Sequence, residues 1–117
     1  MKLKITNIRD QGNLDKERVV MKVESGGNVG EFLLAQSGYH DNSVTNGIHD
    51  TYWFPDKDVN TGDFVVLYTK HGVDREKPFK NVKSHFFYWG RKQPMWIAGD
   101  RVAVLMHAPT WESFKPE

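Results

Sequence analysis

Between Lys70 and Lys92 the chain concentrates side chains suited to gripping a charged, planar ligand. Seven cations stand there, Lys70, Arg75, Lys77, Lys80, Lys83, Arg91 and Lys92, against only Asp74 and Glu76. Phe79, Phe86, Phe87, Tyr88 and Trp89 are interleaved with them. Lysine and arginine neutralise phosphates and aromatic faces stack on exposed bases, so these are the ingredients of a nucleic-acid contact. Exposed Trp, Tyr and Arg are equally the usual anchors of protein interfaces. A protein partner meeting Tyr88 and Trp89 is the favoured reading, with nucleic acid or another polyanion as the alternative on the same segment. A plainer account makes the aromatics one strand of the core and the lysines the solvated surface of a loop. Alternation along a strand would bury Phe86 and Tyr88, or else Phe87 and Trp89, but all four only in a central strand.

A second constellation is the two His-Asp pairs, His40-Asp41 and His49-Asp50, on either side of Asn46-Gly47. A hairpin turning at Asn46-Gly47 would bring two imidazoles and two carboxylates together, a donor set for a divalent metal. That gives a third and weaker reading, a metal-dependent hydrolase. Against it, His and Asp are natural turn residues, and neighbours on a strand point to opposite faces. Other catalytic devices find no support. The serines lie in no nucleophile-elbow context, and Gln36-Ser37-Gly38 lacks the flanking glycine spacing. There is no phosphate-loop or dinucleotide glycine pattern. The expectation is a binding module with no cofactor and no catalytic machinery.

Bulk properties bound the rest. The 117 residues match one domain, with 38% hydrophobic residues and 15 aromatics to build its core. The net charge of +1 selects no partner class, but its distribution is uneven. Residues 1–69 carry seven Lys/Arg against ten Asp/Glu, whereas residues 70–92 net +5. The absence of cysteine removes disulfides, thiolate metal sites and cysteine nucleophiles, and suits a reducing compartment. The first residues alternate polar and apolar, unlike a signal peptide, and no apolar run approaches the length of a membrane span. A soluble, cytoplasmic chain with no membrane partner is expected.

The elements that must carry these residues read as strands. No window sustains helical apolar periodicity over three turns, while runs rich in Val, Ile, Phe, Tyr and Trp recur between turn residues. Strands are expected at Leu3–Ile8, Arg18–Glu24, Glu31–Tyr39, Thr51–Phe54, Phe64–Thr69, His85–Trp89 and Arg101–Met106. Asn60-Thr61-Gly62-Asp63 reads as a turn, Lys70–Ser84 as a long loop, Gly90–Gly99 as a connection, and 107–117 as a loose tail. About seven strands without a long helix predict an all-β, two-sheet sandwich over residues 3–106, with a small closed barrel as the alternative. Lys2 and Lys4 would protect an edge strand from pairing, which favours a monomer.

Several segments, in order, resemble the lamin tail domain. Glu17 to Val23 is similar to that family's early strand, and Phe32-Leu33-Leu34-Ala35-Gln36-Ser37-Gly38-Tyr39-His40-Asp41 to its leucine, glycine and aromatic segment. Tyr52-Trp53-Phe54-Pro55, then Val59-Asn60-Thr61-Gly62-Asp63 and the apolar Phe64–Leu67, is the nearest likeness. Trp96, Gly99-Asp100 and Val102–Leu105 resemble the closing tryptophan, glycine-aspartate and last strand. The resemblance implies an immunoglobulin-like sandwich serving as a non-catalytic binding or tethering module. It also places Trp53 and Trp96 in the core, where Trp53→Ala would cost ~3–5 kcal/mol by cavity formation.

Overall fold

The computed structural model describes residues 1–97 and 99–117; Ala98, inside the expected Gly90–Gly99 connection, lies outside them. Ten strands follow one another: β1 (Lys2–Arg9), β2 (Arg18–Ser25), β3 (Gly27–Asn28), β4 (Phe32–His40), β5 (Ser43–Trp53), β6 (Asp58–Val59), β7 (Phe64–Tyr68), β8 (Arg75–Phe79), β9 (Val82–Tyr88) and β10 (Arg101–His107). One turn of 3₁₀ helix, Val29–Glu31, separates β3 from β4. The chain is all-β, as expected, and its strands form two packed sheets. One has five strands in the order β1-β2-β7-β9-β8, the other three in the order β10-β4-β5, and β3 pairs with β6 apart from both. Every pairing is antiparallel except β7 with β9, which run parallel because β8 occupies the connection between them.

Alternation explains which face each strand buries. Val19, Met21 and Val23 of β2, Val65 and Leu67 of β7, and Phe87 of β9 turn inward from the five-stranded sheet. Phe32 and Leu34 of β4 meet them from the other sheet, with Val29, Phe54, Val59, Met95 and Trp96 closing the ends. A sheet must bury one apolar face, and two facing sheets satisfy both. The polar centre of this core is Glu17, which is fully buried. Its carboxylate accepts from the Gly12 amide at 2.9 Å, the Thr69 hydroxyl at 2.6 Å, and the Met95 and Trp96 amides at 2.7 and 3.3 Å. One side chain thus ties three connections to the core.

Three expectations are corrected. The tally of seven strands missed β8 and the two-residue strands β3 and β6. The Lys70–Ser84 loop is largely the β8–β9 hairpin, turning at Lys80-Asn81 with Lys80 at φ 56°. The hairpin between β4 and β5 turns at Asp41-Asn42, both in the left-handed region, and not at Asn46-Gly47. Two successive positive-φ residues make the turn whose twist suits a two-residue hairpin, and Asp-Asn supplies it directly after the apolar run. Asn46-Gly47 is absorbed into a bulge of β5 opposite Gly38. The expected strand Thr51–Phe54 covers only the end of β5, whose polar first part is held as an edge strand, a position that tolerates polar residues.

Trp53 is the third correction, since it is 47% exposed on that edge and does not sit in the core. Tyr52 and Phe54 take the inward direction, so their neighbour must point out. Its indole Nε1 donates to the Gly30 carbonyl at 2.8 Å, and Trp111 of the C-terminal segment meets it edge-on with ring centroids 4.8 Å apart. Trp96, by contrast, is buried as expected. Among the described residues no helix is long and apolar enough to cross a membrane.

Candidate functional site

The outer face of the five-stranded sheet carries what the inner face excludes. β2 sends Arg18, Val20 and Lys22 outward, and their partners on β7 are Tyr68, Val66 and Phe64. β9 continues the same rows with Tyr88, Phe86 and Ser84, and β8 adds Arg75 beside Phe86, Lys77 beside Ser84 and Phe79 beside Val82. β1 closes the other side, with Lys4 directly opposite Lys22 and Arg9 directly opposite Arg18. Residues directly opposite share a face, so five aromatics form a stripe and cations border it.

The rings of that stripe touch. Tyr68 and Tyr88 stack at 5.4 Å between centroids with 13° between planes, and Phe86 lies 6.2 Å from Tyr68. Phe64 and Phe79 meet edge-on at 5.8 Å. Phe79 is 48% exposed and the others are half-buried. Gly72 carries the backbone across the Tyr88 ring, so closely that a Cβ there would lie 2.4 Å from Cδ1. The four cation–aromatic contacts of the described residues all fall on this face. Arg18 and Lys70 lie over Tyr68 at 5.8 and 5.2 Å, Arg75 over Phe86 at 4.9 Å, and Lys80 over Phe79 at 5.6 Å.

Charge on this face is poorly balanced. Arg18 donates to the Asp10 carboxylate at 2.7 Å, and Lys2 reaches Glu24 at 3.9 Å, both at the ends of β2. The Lys4–Lys22 and Arg9–Arg18 oppositions are between like charges, which disfavour a bare sheet and favour one that receives an anion.

The basic segment expected to act as one surface is divided by this geometry. Lys70, Arg75, Lys77, Lys80 and Tyr88 belong to the outer face. Lys83 points to the other side of β9, where its ammonium is 2.8 Å from Glu76, which also holds Lys57 at 3.3 Å. Hydrogen bonds from Lys83 and Lys57 keep the Glu76 carboxyl below the usual carboxylate range, and Glu76 raises the Lys83 ammonium in turn. Trp89 packs inward between Tyr52 and Trp96, at 5.8 and 6.2 Å, so it offers no projecting anchor. Arg91 pairs with Asp50 of β5. Lys92 lines a separate depression of about 360 Å³ with Gly90, Arg91 and Gln93. Period-two alternation separates Lys83 from the rest, since Ser84, Phe86 and Tyr88 face outward and Lys83 must leave the opposite face of β9, while Arg91 and Lys92 lie beyond the end of that strand.

The weaker alternative, a metal site built from the two His-Asp pairs, is corrected. With the turn at Asp41-Asn42, His40 sits at the hairpin tip, 3.3 Å from its own neighbour Asp41, while His49 lies along β5 and Asp50 is taken by Arg91. The two pairs do not converge, and among the described residues no three metal-ligating side chains do. A different His-Asp pair is buried: His85 Nε2 lies 2.8 Å from Asp63 Oδ2, with Nδ1 unpartnered. Burial would raise the Asp63 carboxyl, but His85 and the Asn60 and Lys83 amides hold it below its ordinary value.

The sequence marks Lys4 only as edge protection and does not mark Arg9, Arg18, Lys22, Phe64 or Tyr68 as binding residues. Alternation marks Lys4, Arg18, Lys22, Phe64 and Tyr68 as outward when Leu3, Val19 and Val65 face in, whereas Arg9, six residues after Leu3, faces outward only through the register shift between Ile5 and Asn7. What joins them to the 70–88 segment is the strand order, which brings β7 between β2 and β9. No protein-family model matches the chain, and no curated protein matches it.

Proposed function

We propose that this protein is a non-catalytic module that binds single-stranded nucleic acid on the outer face of its five-stranded sheet. The observation that carries the reading is that the four cation–aromatic contacts of the described residues all fall on that face, where cations border a stripe of rings. Bases would stack on Phe64, Phe79 and Phe86. The long side chains of Lys22, Lys70, Arg75 and Lys77 would swing to the phosphates, and the strand's charge would relieve the Lys4–Lys22 and Arg9–Arg18 oppositions. A duplex hides its base faces, so the aromatic stripe favours a single strand. The resemblance to lamin tail domains rests on the residue segments alone and adds only the sense of a tethering module.

A protein partner was the favoured ligand class from the sequence, with Trp89 and Tyr88 as anchors. Trp89 packs against the core and Tyr88 is covered by Tyr68 and Gly72, which lowers that reading beneath the nucleic-acid one. The test is fluorescence anisotropy with labelled single- and double-stranded oligonucleotides. The expected result is preference for the single strand, with Phe86→Leu weakening binding by about fivefold or more through loss of a stacking face. Absence of binding at low salt, or equal affinity for the duplex with no effect of Phe86→Leu, would overturn it.

A further inference from the structure

We infer that the depression of about 270 Å³ lined by Arg9, Val20, Phe64, Val66, Phe79 and Ser84 is a base-selective subsite that takes one unstacked guanine, read by Arg9. This rests on the nucleic-acid reading and deepens it. The volume lies below the roughly 300–1,000 Å³ of a site for a whole drug-sized molecule, which suits a single planar ring system. Val20 and Val66 stand directly opposite each other on β2 and β7 and give it an apolar floor. Phe64 and Phe79, perpendicular to each other, give it an aromatic wall.

Its polar groups are few and unspent. Arg9 stands directly opposite Arg18, and Arg18 takes both the Asp10 carboxylate and the Lys16 carbonyl. Arg9 is left beside a like charge, and among the described residues it has no carboxylate partner. Arg9 is one of the residues that line the depression. Ser84, placed between Phe64 on β7 and Lys77 on β8, brings a hydroxyl that can donate or accept.

This donor pattern distinguishes the bases. A guanidinium offers two coplanar N–H groups, and the N7/O6 edge of guanine offers two acceptors at matching spacing. Adenine sets an amino donor beside N7 at that edge, against a group that has no acceptor. Pyrimidines present one hydrogen-bonding group there and fill less of the aromatic wall. Selectivity for guanine therefore follows from Arg9, while general affinity follows from the rest of the face.

The experiment compares the full chain's affinity for a labelled oligothymidine of about a dozen nucleotides with its affinity for the same strand carrying one central dG, dA or dC. The single dG is expected to tighten binding by about 5- to 150-fold, and dA and dC far less. Arg9→Lys keeps the charge but not the planar fork, so it should bring the ratio of dG-strand to oligothymidine affinity down to about one, with the thermal melt unchanged. Oligothymidine binding with no dG preference, or a preference that survives Arg9→Lys, would overturn the subsite while leaving the nucleic-acid reading in place. No binding to any of the four strands at low salt would overturn both.

Discussion

Glu17 and Trp53 stand at opposite ends of what one side chain contributes here. The Glu17 carboxylate serves three buried donors and the part-buried Gly12 amide, and truncation leaves the three buried ones without a partner. Each unsatisfied group costs about 1–3 kcal/mol, so Glu17→Ala should destabilise by at least ~3 kcal/mol. Trp53 is half-exposed and contributes one hydrogen bond and one edge contact. Trp53→Ala should therefore cost only about 1–2 kcal/mol, below the figure a core tryptophan would give. Urea unfolding of the two variants side by side measures the difference, and equal losses would mean that the edge position of Trp53 is misread.

The turn before β7 has a conformational requirement that only part of the alphabet meets. Gly62 sits at φ 93°, its amide donates to the Val23 carbonyl at 2.8 Å, and the Asp63 amide donates back to Asn60 at 3.0 Å. A Cβ at Gly62 would lie 3.2 Å from the Val82 side chain, so the crowding adds to the backbone strain. Gly62→Val should destabilise on the order of 1–3 kcal/mol. The loss should appear in the whole unfolding transition, because the turn aligns β7 with both β2 and β9. An unchanged melt would remove this turn from the determinants of the fold.

The molecule as a whole responds to pH and to salt through groups in known places. Asp63 is depressed in the folded state, so its stabilisation is fully present above the unfolded value near pH ~4 and disappears as pH falls through the folded one. Asp63→Asn should accordingly be less stable at neutral pH and lose less on acidification, read from urea midpoints across the acid range. On the alkaline side, burial and then the Asp74 charge push Tyr52 up to about 12. An unfolded tyrosine ionises near pH ~10, so stability should decline as pH rises between the two values, and Tyr52→Phe should flatten that limb. Binding to single strands should weaken with salt. If four phosphates are neutralised, the log–log slope is about −3, and a flat dependence would point away from a phosphate backbone.

Much of this architecture was legible in the residues. The period-two runs and the Asn60–Asp63 turn marked most of the strands, and the absence of helical periodicity marked the class, because burial of one sheet face imposes alternation locally. Trp96 and the inward β2 residues followed from the same rule. The β8 and β5 strands were hidden, since Arg75–Phe79 and Ser43–Asp50 are polar segments held as edges by pairing with a neighbour, and pairing leaves no trace in composition. The candidate site was half visible for a related reason. Alternation assigns a residue to a face, but strand order assigns faces to one another. Placing β7 between β2 and β9 set Lys22 and Arg18 across the aromatic stripe from Arg75 and Lys77, while the pleat turned Lys83 and Trp89 away from it. That order is set by long-range packing around the shared core and by the donors gathered on Glu17, contacts between residues that the chain itself keeps far apart.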